Sequence, residues 1–105
     1  MKVLFDQGTP VPLRRYLRPH EVRTVYELAW STLQNGVLLS KAEAAGFDVL
    51  VTTDRNLKYQ QNLSERRLAV VVLLSTSWPR IQAKASEVAI AVDQSIPGSY
   101  IEIEI

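Results

Sequence analysis

The sequence predicts an α/β protein, a three-layer sandwich around a five-stranded and mainly parallel sheet with the strands in the order 2-1-3-4-5. Short strand-like and helical segments alternate along the chain with brief connections. Leu68 to Leu74 is an unbroken apolar run, the pattern of a strand covered on both faces. Right-handed crossovers between parallel strands then place helices on both sides of the sheet.

Lys2 to Phe5 is the first strand, a short apolar run ending at Asp6. Gly8, Pro10 and Pro12 turn the chain and open a helix that reaches about Leu17. After the Pro19-His20 break, Glu21 to Val25 alternates polar and β-branched residues and reads as the second strand, with Glu27 just beyond its end. Residues 35 to 45 read as a helix, because Leu38, Ala42 and Ala45 recur at helical spacing and Gly46 suits a left-handed cap. Asp48 to Thr52 is the third strand, and Leu68 to Leu74 the fourth, expected at the centre of the sheet. Ile81, Ala85, Val88 and Val92 form one stripe on a helix starting near Pro79. Pro97-Gly98 is a turn, and Tyr100 to Ile105 alternates isoleucines with Tyr100, Glu102 and Glu104 as a half-exposed edge strand does.

With 105 residues the chain is expected to be a single domain spanning 1–105. Twelve Lys plus Arg against eleven Asp plus Glu give a net charge of +1, so bulk electrostatics favour neither nucleic acid nor membrane and any binding face must be local. The absence of cysteine removes disulfides, thiolate metal sites and a cysteine nucleophile. No signal-peptide pattern opens the sequence and no apolar run approaches the roughly 18 residues of a membrane helix, so a cytoplasmic protein is expected. His20, the only histidine, follows a proline at a strand entrance and is read as structural, which leaves no basis for histidine triads or zinc sites.

The chemistry lies at the strand ends. Asp6, Glu27 and Asp54 come at or just beyond the ends of the first three strands, and parallel strands align those ends on one edge. In the order 2-1-3-4-5 the first and third strands flank the switch point where open α/β sheets bind ligands, so three carboxylates are expected to converge there. A strand-terminal aspartate alone is ordinarily a turn or cap residue. Like charges at close range raise one another's pKa unless a cation lies between them, and magnesium, an oxygen-seeking ion needing one or two direct carboxylates, suits such a pair. The segment RNLKYQQNLSERR, residues 55 to 67, adds Arg55, Lys58, Arg66 and Arg67 as phosphate ligands and Tyr59 as a stacking platform for single-stranded RNA. Solvated faces, and amides of Gln60, Gln61 and Asn62 bonding a buried loop, account for the same residues equally well.

VLFDQGTP, HEVRTVYELAW and LQNGVLLSKAEAAGFDVLVTTDRNL, followed by a helix-strand unit, resemble the small PIN-like proteins of toxin type over nearly the whole chain. The resemblance implies a PIN-like fold and Mg2+- or Mn2+-dependent endoribonuclease activity on single-stranded RNA, in some relatives as a toxin paired with a small antitoxin. The family's first aspartate matches Asp6, its Thr-x-Asp signature matches Thr52 to Asp54, and its middle acidic position falls near Asn35. The chain has Asp6-Gln7-Gly8 where relatives have Asp-Glu-Asn, and the family's fourth acid has no counterpart. Asp6 and Asp54 are therefore the expected metal ligands, Asn35 or Glu27 the group orienting a water, and Arg55, Lys58 and Tyr59 the substrate contacts.

Two alternatives belong to other classes. One is a PIN-like protein that has lost catalysis and acts as a binding partner in a toxin–antitoxin-like pair, which Gln7 and Asn35 favour. The other is a receiver-like phosphoacceptor with Asp54 as acceptor, against which stand Gln7 and the lack of lysine in YIEIEI. Trp30 and the apolar stretch around Leu33 raise the further expectation of a homodimer.

Overall fold

The short apolar stretches of the inner strands are buried on both faces of the sheet, whereas the edge strands are covered only in part. The computed structural model describes residues 1–105. Its strands are β1 (Lys2–Phe5), β2 (Glu21–Thr24), β3 (Val49–Thr52), β4 (Ala69–Leu73) and β5 (Tyr100–Ile103). They form one sheet in the order β2-β1-β3-β4-β5. Every neighbouring pair is parallel, so the expected mainly parallel sheet is wholly so. All residues of β3 and β4 are buried. The middle position belongs to β3, however, and β4 lies between it and the edge strand β5.

The helices are α1 (Asn35–Ala44), α2 (Leu57–Gln60), α3 (Trp78–Ala83) and α4 (Ala85–Asp93). On one face, Val3, Phe5, Val49, Val51, Val71 and Leu73 meet Leu13 and Leu17 of the Val11–Leu17 turn and the Ile81, Ala85, Val88, Val92 stripe. On the other, Leu4, Leu50, Val70 and Val72 meet Leu38, Leu39 and Ala42 of α1. Alternate strand residues thus supply two separate cores, which makes the three layers.

Two helical expectations change in detail. Val11–Leu17 is a 3₁₀ helix rather than an α-helix, opened by an i to i−3 bond of 3.1 Å from Leu13 N–H to the Pro10 carbonyl. The stripe helix is two helices, divided at Lys84, whose φ of −109° and ψ of 12° leave the helical range. Neither glycine nor proline marks that break. No helix is long and apolar enough to cross a membrane.

Trp30 and Leu33 are half-buried against the α1-side core, and Trp30 meets Phe47 edge-on at 6.1 Å between ring centres. Both side chains thus pack within a single copy of the chain. His20 is structural as expected: its ring lies between the Met1 ammonium, 3.0 Å away, and Asp93 at the end of α4.

Candidate active site

The register places both aspartates at one point on the carboxyl edge of the sheet. Phe5 pairs with Val51, so Asp6, the next residue, lies opposite Thr52, two residues before Asp54. The Thr52 hydroxyl joins them, donating to Asp6 Oδ2 and accepting the Asp54 backbone N–H at 3.0 Å. Thr52 is itself buried at the end of β3, so its hydroxyl is held by packing.

Asp6 is further enclosed by the turn that follows it. Its Oδ1 accepts the Gly8 N–H at 3.2 Å and lies 3.0 Å from the Thr9 hydroxyl, whose single proton is shared in reach with the Val51 carbonyl at 2.8 Å. A Cβ on Gly8 would lie 2.3 Å from Thr53 Oγ1, so glycine lets this turn close against β3. Burial pushes the Asp6 pKa above the usual carboxylate range and the charge of Asp54 adds to this, against the bonds from Thr52, Thr9 and Gly8. Neither aspartate forms a salt bridge.

Asp54 closes its own turn, its Oδ1 accepting the Asn56 N–H at 3.0 Å. Asn35, the first residue of α1, directs its amide nitrogen to Asp54 Oδ2 at 3.5 Å and to Gln60 Oε1 at 3.0 Å. Of the residues expected from sequence, Asp6, Asp54 and Asn35 thus come together.

Glu27 does not join them. Its carboxylate accepts the Thr24 backbone N–H at 2.9 Å and pairs with Arg14, while its own N–H bonds the Thr24 hydroxyl at 3.1 Å. This is a reciprocal capping-box exchange at the end of β2, and the pattern Thr24-x-x-Glu27 is its sequence signature. The Thr24 N–H and the Arg14 guanidinium hold Glu27 below the usual carboxylate range. The expected convergence of three carboxylates is accordingly a pair, and no three His, Asp or Glu side chains cluster as metal ligands do.

The basic segment is also partly committed. Arg55 donates to the Leu74 carbonyl at 3.1 Å, and Lys58 pairs with Glu102 at 2.9 Å. The Lys58 ammonium lies 5.2 Å from the ring centre of Tyr59 and 5.6 Å from that of Tyr100. Tyr59 is 78% exposed. Arg55, Lys58, Tyr59, Leu74 and Glu102 line one cleft of about 340 Å3. Arg66 is turned to the opposite edge and pairs with Glu43 at 2.8 Å. Residues 55–67 are largely exposed rather than a buried loop, with Asn62 accepting the Ser64 N–H at 3.3 Å and Gln60 serving Asn35. Sequence reasoning missed Thr9 and the Gln60 contact, which no local pattern announces.

A second cleft, of about 180 Å3, borders Asp6 on the β2 side and is lined by Asp6, Gln7, Val25, Trp30, Leu33 and Asn35 among others. Comparison of the chain with protein-family models, with curated proteins and with solved structures finds no match.

Proposed function

We propose that the chain is a metal-dependent endoribonuclease of PIN-like type acting on single-stranded RNA. The observation that carries this reading is the convergence of Asp6 and Asp54 on the Thr52 hydroxyl at the switch point between β1 and β3. The donor set suits Mg2+ or Mn2+: the two carboxylates are hard ligands, and such an ion keeps several waters. Asp6 and Asp54 would hold it, and Asn35 would orient a water through its amide. Bound there, the ion would polarise the phosphodiester and lower the pKa of a water. Arg55 and Lys58 would exchange their present partners, Leu74 and Glu102, for phosphate oxygens, and exposed Tyr59 would stack a base.

The experiment is incubation of mixed single-stranded RNAs with the protein in manganese or in chelator. Cleavage is expected in manganese alone, and Asp6→Asn is expected to abolish it. Cutting in manganese no greater than that of Asp6→Asn removes the enzyme. The presence of two carboxylates rather than three favours a second reading, a non-catalytic PIN-like partner of a small antitoxin, which leaves RNA intact in both conditions.

A further inference from the structure

We propose that the cleft beside Asp6 is a nucleobase subsite, in which Trp30 and Leu33 supply an apolar wall and Gln7 reads the base edge. The proposal rests on the ribonuclease reading for the direction of the RNA, but the cleft has its own features. It shares Asp6 and Asn35 with the acid pair, so a nucleotide whose phosphate meets the aspartates has its base next to this opening. Val25, Trp30, Leu33 and Leu38 form its apolar side, and Gln7, Ser31 and Asn35 its polar side. A flat heterocycle with apolar faces and a hydrogen-bonding rim complements such a cleft, and unstacked RNA bases are recognised in this way. Its volume of about 180 Å3 is below the roughly 300–1,000 Å3 of sites for drug-sized ligands, which suits one ring system rather than a whole nucleotide.

The polar groups are available. Gln7 is exposed, and its amide offers donors and an acceptor side by side. Asn35 spends its amide nitrogen on Asp54 and Gln60, which leaves its oxygen as an acceptor. The apolar wall is held in place. The Trp30 ring is braced by Phe47 and by the Lys41 ammonium 5.6 Å from its centre, and the Trp30 backbone N–H bonds the Val25 carbonyl at 2.8 Å. That loop closure requires Ala29 at a φ of +59°, a left-handed conformation costing a non-glycine residue about 1 kcal/mol. Backbone strain of this kind persists where the surrounding packing over-determines it, and it clusters at ligand sites.

The test is titration of tryptophan fluorescence with AMP, GMP, CMP, UMP and ribose 5-phosphate, in magnesium and in chelator. Saturable quenching by nucleotides and none by ribose 5-phosphate is expected, with the signal lost in Trp30→Phe and kept in Trp78→Phe. One nucleotide is expected to bind best, and Gln7→Ala should weaken it about 5- to 150-fold, the worth of one two-point amide contact. Calorimetry with the same ligands provides a readout independent of the tryptophans. No saturable signal, or equal binding of ribose 5-phosphate, overturns the subsite, and a ranking unchanged by Gln7→Ala overturns the assignment to Gln7. Base-selective binding without RNA cleavage would sink the nuclease and leave the subsite. Cleavage without base-dependent binding would do the reverse.

Discussion

The acids at the amino edge of the sheet and the Asp6–Asp54 pair at its carboxyl edge are held in different ways. At the amino edge, Asp48 Oδ2 accepts the Lys2 N–H at 2.8 Å, Asp93 pairs with His20, and Glu43 takes both Arg66 and the Arg67 N–H. At the carboxyl edge, Asp6 and Asp54 share one hydroxyl, and no cation contacts either. At the first edge Asp93 and Glu43 meet charged partners and all three acids tie loops to the fold, whereas at the second two half-buried carboxylates are held together by uncharged donors. Asp6 does not serve stability, since burial and the charge of Asp54 both disfavour its charged form. This is the physical ground for locating function at the carboxyl edge.

The largest effect expected from breaking this contrast is at the aspartates. Asp54→Asn should reduce manganese-dependent cleavage by more than about a hundredfold, since even groups that merely orient metal ligands are worth 10–100-fold. Asp6→Asn should do the same while leaving the urea midpoint unchanged or raised, the usual relation between stability and a charged site. A lowered midpoint would mean that Asp6 is structural.

Thr52→Val should come next. It leaves the Asp54 N–H without an acceptor and Asp6 Oδ2 without a donor, at about 1–3 kcal/mol by urea denaturation. At the amino edge, Glu43→Gln should cost about 1 kcal/mol, because the half-buried carboxylate loses its charge-assisted bonds to Arg66 and Arg67.

A pH series in chelator sharpens the contrast, because the two shifts have opposite sign. Burial disfavours charged Glu43, but Arg66 and the Arg67 N–H outweigh it and hold its pKa below 4.5. Its contribution is therefore fully present above pH 4.5 and is lost as pH falls through the folded-state value. Asp6 is raised above 3.8, chiefly by burial, so the folded state binds the extra proton and loses stability as pH rises through that window. The deficit of Glu43→Gln should vanish in acid, and any gain from Asp6→Asn should vanish below pH 3.8. Parallel curves for both variants would refute the assignment.

The smallest effect is expected at Lys58. Lys58→Ala should leave the unfolding midpoint unchanged, because its pair with Glu102 is solvent-exposed. It should lower the salt dependence of RNA binding, since each neutralised phosphate releases counterions. An unchanged salt slope would take Lys58 out of the substrate path.

Residues 49–52 and 69–73 were readable as strands because burial on both faces demands continuous apolar sequence, whatever lies beside them. The adjacency of β3 to β1 was a topological expectation, and with it came the meeting of Asp6 with Asp54. Glu27 was misplaced because position along the chain says where a residue follows a strand, not where its side chain points. The Thr24-x-x-Glu27 pattern carried the missing information, for the exchange it announces folds the carboxylate back on β2. The break at Lys84 had no such sign, since the apolar stripe satisfies one helix or two alike.

Periodicity and turn chemistry by themselves determined the strand–helix alternation, the covered strands and the residues at the strand ends, because these depend on which side chains water excludes. Only the tertiary structure decided that two carboxylates meet rather than three, that Asn35 is held by Gln60 and that Arg55 and Lys58 have protein partners. Those contacts join side chains from separate segments through directional bonds of about 3 Å, and their geometry exists only once the sheet has brought the segments together.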